Sequence, residues 1–163
     1  MIDVVVALTA LVYGIGSAMI PVLNAEAYVA ATALVLSGLD TVIMVVAITI
    51  GTVVGKVALF LAARAGRDLG RSRASSAETP RRPPGRVRRA LRQVADLLIS
   101  WLDHPVRAVA TVLVSSSVGI PPLLAVAVVA GASRMRVGVF AAAVLVGRAG
   151  RFALIAGAAH GLV

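Results

Sequence analysis

The chain has 163 residues, of which 60% are hydrophobic and 14% are charged, and its mean hydropathy is +0.98. Soluble domains have about half apolar and about a quarter charged residues, so this composition favours a membrane protein with several spans. The absence of cysteine excludes disulfides, thiolate nucleophiles and cysteine-ligated metals. The net charge of +9 is uneven, since ten of the sixteen basic residues fall between Arg64 and Arg92.

The first long apolar stretch, residues 2–37, is interrupted near its middle by Pro21 and Asn24. The pieces on either side are each marginal for a membrane span, which needs about 20 residues. Asn24 is a suitable N-cap for the second piece, and Glu26 falls in its first turn. We therefore expect a helix, a break and a helix, forming a re-entrant hairpin. Its irregular backbone must be buried in protein or line a wet cavity.

After a turn predicted at Gly38–Asp40, residues 41–63 form an apolar run long enough to span a membrane. Gly51 and Gly55 give this helix a small-residue face suited to close contact with a neighbouring helix. Lys56 follows directly and is an unusual charge at that depth.

The character of the chain changes at residues 64–92, where Arg, Ser and Pro dominate. This composition predicts a flexible basic loop, which the positive-inside rule places in the cytoplasm. Residues 93–104 are predicted to form an amphipathic interfacial helix with Trp101 at headgroup level. Because such loops commonly serve topology and anionic-lipid contact, we expect no nucleic-acid partner.

The second broken stretch begins with a predicted helix over 106–114, followed by a polar and small interruption at Ser115–Gly119. Pro121 and Pro122 then open a short helix, since proline is tolerated in a first turn. A last apolar helix is predicted over 137–159. This half repeats the pattern of the first half: a broken hairpin followed by an intact helix.

Charge sets the predicted topology. Arg134 and Arg136 favour the same cytoplasmic side as the basic loop, so the two hairpin-plus-helix units, 1–63 and 105–163, have opposite orientations. The sequence thus predicts a single all-α membrane domain over 1–163, built as an inverted repeat. Both termini face outside. Because arginine far outnumbers lysine among many Ala, Val and Gly, as in GC-rich bacteria, we expect a bacterial cytoplasmic (inner) membrane.

Three charged residues within apolar segments are candidate functional groups. Glu26 lies in the first broken segment, and Arg148 and Arg151 share one face of the last helix near mid-bilayer. Intramembrane ionisable groups usually have a partner or a function. The alternatives are an N-terminal charge on a short helix for Glu26, and snorkelling or a structural pair with Glu26 for the arginines.

Polar groups at the two breaks complete the predicted substrate site. Helices starting near Asn24 and near Pro121 would aim free N–H groups at the midplane, where an anion such as a phosphate-bearing headgroup would fit. Ser116 and Ser117 could donate hydrogen bonds there, or could instead satisfy the broken helix. No phosphate-loop, dinucleotide or nucleophile motif is present and the two histidines are isolated, so we expect no enzyme activity, cofactor or metal.

Several short motifs resemble a known family. They are Trp101-Leu102-Asp103-His104-Pro105, Val118-Gly119-Ile120-Pro121-Pro122, Ala130-Gly131-Ala132-Ser133-Arg134-Met135, Phe140 and Gly147-Arg148-Ala149-Gly150-Arg151-Phe152, with Pro21 and Glu26 and the Gly51-xxx-Gly55 pair in the first half. Together they resemble the DedA/VTT (SNARE-associated) membrane-protein superfamily. The chain departs from that family at Lys56, where many members carry an acidic residue, and at Ser116 and Leu123–Leu124, where many carry arginines. In the family those groups are associated with proton coupling and phospholipid handling, so the resemblance does not imply a proton-driven mechanism for this chain.

The resemblance implies a transporter or scramblase-type protein that translocates or binds polyprenyl phosphate or phospholipid. Its partners would be membrane lipids with anionic headgroups, together with a second copy or another membrane protein. A small-solute or ion transporter of the same architecture is a second hypothesis. A non-transporting subunit or assembly partner of a larger membrane complex is the third.

Overall fold

The computed structural model describes residues 2–20, 23–36, 38–74, 105–120 and 122–161, and these residues contain six α-helices and no strand. The helices are α1 Ile2–Met19, α2 Ala25–Ala33, α3 Gly38–Ala74, α4 Pro105–Val118, α5 Leu123–Ala132 and α6 Val137–Gly161. For these residues the all-helical prediction is confirmed. The predicted interfacial helix over 93–104, and residues 75–92 of the predicted loop, lie outside the described residues.

Helix α3 is longer at both ends than the sequence predicted. It begins at Gly38, so the predicted turn at Gly38–Asp40 is wrong, and the chain turns instead just before it, where Thr32 O accepts from the backbone N–H groups of Val35 and Leu36. It also continues to Ala74, so the start of a flexible loop at residue 64 is wrong. The extension has a physical cause, since arginines in this part of α3 bind backbone carbonyls elsewhere in the fold.

The second break lies later than predicted. Ser115, Ser116 and Ser117 belong to α4, which ends at Val118. The serines are compatible with a helix because the Ser116 hydroxyl donates to Leu113 O in the preceding turn, at 2.9 Å. The break itself begins at Gly119, whose φ of +88° suits a residue without a side chain.

In each half of the chain, the helix before the break (α1 or α4) packs in parallel against the long helix of that half (α3 or α6). Along α1 and α3, contacts advance in the same order, from Leu11 beside Gly51 to Ala18 beside Gly55. A Cβ on Gly51 would collide with the carbonyl oxygen of Leu11, which confirms the predicted close approach of this glycine face. In the second half α4 packs on α6, where the Ser116 hydroxyl reaches Ala143 O at 3.3 Å.

The two long helices run antiparallel to each other. Phe60 of α3 stacks on Phe140 near the start of α6, with ring centroids 4.8 Å apart. Ile48, earlier in α3, shares a core cluster with Phe152, which comes later in α6. The short second helices cross between halves, because α5 packs on α3 and α2 packs on α6.

Helices α3 and α6 are long and apolar enough to cross a membrane, over Gly38–Leu69 and Val137–Ala159, with mean hydropathies of 2.3 and 1.7. One outward face of α3 carries large apolar side chains at every fourth position: Val42, Val46, Ile50 and Val54 are all exposed. Such a stripe is the face expected against lipid or an apolar partner. The two helices predicted as long spans thus have the length and composition that a membrane span needs.

Candidate functional site

The two chain breaks meet around a cavity of about 370 Å³, which we call the first cavity. Five helices contribute to it: the end of α1, the starts of α2 and α5, and the middles of α3 and α6. Its lining is Ser17, Ala18, Leu23, Asn24, Ala25, Glu26, Thr52, Lys56, Pro122, Leu123, Leu124 and Arg148. A site at which both breaks converge is what the sequence predicted.

Glu26 and the two arginines of α6 come together at this place. The Glu26 Oε2 atom accepts a hydrogen bond from Arg151 Nη2 at 2.7 Å, and Oε1 lies 3.8 Å from Arg148 Nη1. The Glu26 side chain is 33% exposed and that of Arg148 is 16% exposed. The carboxylate thus bridges two guanidinium groups placed three residues apart on one helix face.

Arg151 also fixes the end of α4. Its Nη1 atom donates to Ser117 O at 2.8 Å, a carbonyl in the last turn of α4 that has no partner within the helix. Ser117 therefore contributes its backbone carbonyl to this bond. A Cβ on Gly119 would lie 3.1 Å from the same guanidinium nitrogen, so the turn approaches Arg151 closely.

Lys56 is a component of the site that the sequence analysis did not include among the candidate residues. It is only 5% exposed, and its Nζ atom donates to Ala18 O at 2.7 Å. Ala18 is in the last turn of α1, where the carbonyls lack helical partners and a cation is favourable. Its signal in the sequence was a single charge within a long apolar run.

Lys56 and Arg151 make equivalent hydrogen bonds in the two halves of the protein. Lys56, on α3, binds the carbonyl end of α1, and Arg151, on α6, binds the carbonyl end of α4. At each break, the carbonyl end of the first helix therefore accepts a hydrogen bond from a cation on the long helix of its own half.

The remaining predicted site residues have structural roles or lie outside the described part. Asn24 is the N-cap of α2, and its Oδ1 atom accepts from the backbone N–H groups of Glu26 and Ala27 at 3.0 and 3.4 Å. Ser116 is fully buried, and its hydroxyl is directed at two backbone carbonyls, as in the alternative prediction that it satisfies the helix. Pro121 lies outside the described residues.

The two short helices present different N-termini to the first cavity. In α2, Asn24 caps the free N–H groups and Glu26 adds a negative charge. In α5, Pro122 occupies the N-cap position and, among the described residues, no side chain caps the helix. Pro122, Leu123 and Leu124, at this uncapped N-terminus, line the first cavity, so the positive dipole end of α5 lies at its wall.

A second cavity of about 470 Å³ also borders Glu26. It is lined by Glu26, Ser117, Gly147, Gly150, Arg151, Leu154 and Ile155. Its lining therefore combines charged and apolar side chains. Leu154 is 76% exposed, so the apolar part of the lining continues onto the outer surface of the protein.

The charge balance of the site is positive, because Lys56, Arg148 and Arg151 face one carboxylate, that of Glu26. Guanidinium and ammonium groups beside an uncapped helix N-terminus form a site that is suited to a phosphate or carboxylate. In the described part of the chain, no three His, Cys, Asp or Glu side chains are grouped as they would be to hold a metal ion.

No protein-family model matches the chain, and neither curated proteins nor solved structures gave a match. The functional argument therefore depends on the geometry of the site and on the sequence pattern.

Proposed function

We propose that this chain is a membrane transporter or scramblase-type protein that binds and translocates a phosphate-bearing lipid, in the manner of the DedA/VTT superfamily that it resembles. The observation that carries the proposal is the excess of positive charge at the junction of the two breaks, inside a helical body with an apolar exterior. Such charges are costly within a bilayer and are kept there for substrates or ions.

The packing of the helices supports an inverted repeat of two hairpin-plus-helix units. Because α1 and α3 run parallel, α2 must return towards the side from which α1 came, which is the course of a hairpin. In the second half, Ala108 of α4 shares a core cluster with Phe140, early in α6, and Ser117 accepts from Arg151, later in α6, which is the same parallel order. Because α3 and α6 are antiparallel, the two units run in opposite directions. Substrate sites of inverted-repeat transporters lie where two broken units meet at the midplane. On this reading the protein lies in the bacterial inner membrane, with residues 64–92 on the cytoplasmic side.

The second cavity favours an amphiphile over a small solute. The charged side chains in its lining, Glu26 and Arg151, can contact a headgroup. The apolar side chains, Leu154 and Ile155, can contact an acyl or prenyl chain. Because Leu154 is largely exposed, a chain bound there can extend into the surrounding lipid. A small ion or solute has no apolar chain that would contact Leu154 and Ile155.

Translocation of a fluorescent phospholipid and of a fluorescent polyprenyl phosphate, measured in liposomes, tests the proposal. We expect Arg148→Gln and Arg151→Gln to reduce the rate by at least about tenfold, as expected for loss of a charge-assisted contact. Arg107→Gln, an exposed arginine of α4, is the matched control and should translocate normally. Background rates with the wild-type chain, for both lipids, would contradict the proposal. Co-purification of a stoichiometric partner would then favour an assembly role.

A further inference from the structure

Glu26 lines both cavities, whereas the two arginines that it contacts are divided between them. Among the described residues, Arg148 lines the first cavity and Arg151 lines the second. The Glu26 carboxylate therefore borders both spaces, and its hydrogen-bond partner Arg151 belongs to the second.

The contacts of Glu26 with the two arginines differ in length. The 2.7 Å contact with Arg151 is a short charge-assisted hydrogen bond, whereas the 3.8 Å contact with Arg148 is too long to be one. The buried Nε atom of Arg148 donates to no acceptor among the described residues. Arg148, which lines the first cavity, is thus less engaged by protein acceptors than Arg151, which already holds Glu26 and Ser117 O.

Two further donors face the first cavity with Arg148. The Lys56 ammonium carries three N–H donors, and its one hydrogen bond in the described structure is to Ala18 O. The N-terminus of α5 has no side-chain cap and contributes to the same wall. Side-chain cations and a helix N-terminus thus converge on the first cavity from three separate helices.

We infer that the first cavity is an anion-loading site formed by Lys56, Arg148 and the α5 N-terminus, and that the Glu26–Arg151 pair is the barrier between this site and the second cavity. The inference depends on the proposed function. A phosphate bound beside Arg148 competes with the Glu26 carboxylate for the same cations. Exchange of the phosphate for the carboxylate on Arg151 then carries the headgroup into the second cavity.

Arg151 is suited to this exchange because Glu26 is not its only anchor. When the carboxylate leaves, the hydrogen bond from Nη1 to Ser117 O still holds the guanidinium at the end of α4. The receiving cation therefore stays in position while its anion changes, so the exchange requires little reordering of the arginine side chain.

The test separates binding from passage, using dodecyl phosphate as the probe. Binding to the full chain in an uncharged detergent is measured by calorimetry, and translocation is measured in liposomes as above. We expect Arg148→Gln to weaken binding by about tenfold or more. Arg151→Gln should keep binding within about threefold and abolish translocation. Glu26→Gln should tighten binding by about tenfold, because the competing carboxylate is removed.

Size-exclusion profiles show whether each variant is folded. Arg107→Gln is the control for loss of an exposed arginine. If Arg151→Gln fails to fold, Arg151→Lys, which keeps the charge, should bind the probe normally and translocate slowly. Equal loss of binding in Arg148→Gln and Arg151→Gln would contradict the inference that the Glu26–Arg151 pair is a barrier, since both arginines would then form one site. It would leave the proposed function intact. No binding by the wild-type chain would overturn both. Inorganic phosphate that competes as well as dodecyl phosphate would support the loading site and assign it to a free anion, against a lipid.

Discussion

Arg151 connects Glu26 of the first half to Ser117 of the second, through hydrogen bonds of 2.7 and 2.8 Å from its two terminal nitrogens. One guanidinium therefore stabilises a chain break and at the same time neutralises the single carboxylate of the site. Charged hydrogen bonds of this kind contribute more to stability than neutral ones, because both partners are partly shielded from water.

We expect Glu26 and Arg151 to be energetically coupled. Glu26→Gln and Arg151→Gln should each lower the thermal stability of the detergent-solubilised protein, and the double variant should lose less than the sum, by about 0.5–3 kcal/mol. The same cycle with Arg148→Gln should show a smaller coupling, because its contact with Glu26 is 3.8 Å long. Glu26→Gln combined with Arg107→Gln is the control and should be additive. Additivity in the Arg151 cycle as well would show that the contact contributes nothing to stability.

Lys56→Met should raise the unfolding temperature while weakening anion binding. The lysine gains about 1.5–3 kcal/mol from one charged hydrogen bond, to Ala18 O. Burial of an ion costs several kcal/mol after relaxation, so desolvation outweighs the bond. Methionine has a similar shape and no charge. A lower unfolding temperature, with unchanged binding of dodecyl phosphate, would make Lys56 a purely structural cap of α1.

Arg64→Gln should destabilise the protein by about 1–3 kcal/mol, the usual cost of leaving carbonyls without a donor. Arg64 donates to Gly131 O, Ser133 O and Met135 O, and its guanidinium lies 4.7 Å from the centre of the Phe60 ring. Thermal unfolding in detergent measures the effect. Arg136→Gln, an exposed arginine nearby, should change stability little. Equal effects of the two substitutions would contradict a role for Arg64 in holding the end of α5.

Gly147→Ala should destabilise the fold, whereas Gly150→Ala, three residues later in α6, should not. A Cβ at Gly147 would collide with the Ser116 hydroxyl and separate α4 from α6. At Gly150 a Cβ would meet nothing within 4 Å, and alanine is favoured over glycine in a helix by about 1 kcal/mol. Unfolding temperatures of the two variants provide the comparison. A stable Gly147→Ala would mean that α4 and α6 are less closely packed than the structure shows.

The predicted topology can be tested at the two ends of α3. Gly38 and Gly66 both have open space around them, so a cysteine at either position is accommodated. In intact cells an impermeant thiol reagent should label Gly38→Cys and not Gly66→Cys, because the basic segment after residue 63 is expected in the cytoplasm. Cell lysis should make Gly66→Cys reactive. The reverse pattern in intact cells would invert the topology.

The sequence was most informative where a residue conflicts with its own surroundings. A carboxylate and two arginines in apolar segments require partners, and Glu26, Arg148 and Arg151 do meet. It was least informative where the hydrogen-bond partner of a residue is distant in sequence. The local sequence at Arg64 predicts the start of a loop, but its guanidinium donates to carbonyls about seventy residues away. The role of Lys56 likewise depends on where α1 ends, which local composition does not specify.

The crossing of the short helices has a consequence for biogenesis. Helix α2 packs on α6, and the closest ionic partner of Glu26 is synthesised 125 residues after it. If the chain enters a membrane from its N-terminus, as the proposed function requires, Glu26 enters before Arg148 and Arg151 are synthesised. We therefore expect an insertase or a water-filled site to hold Glu26 until α6 arrives. The step in which α6 docks commits the whole chain to its final arrangement.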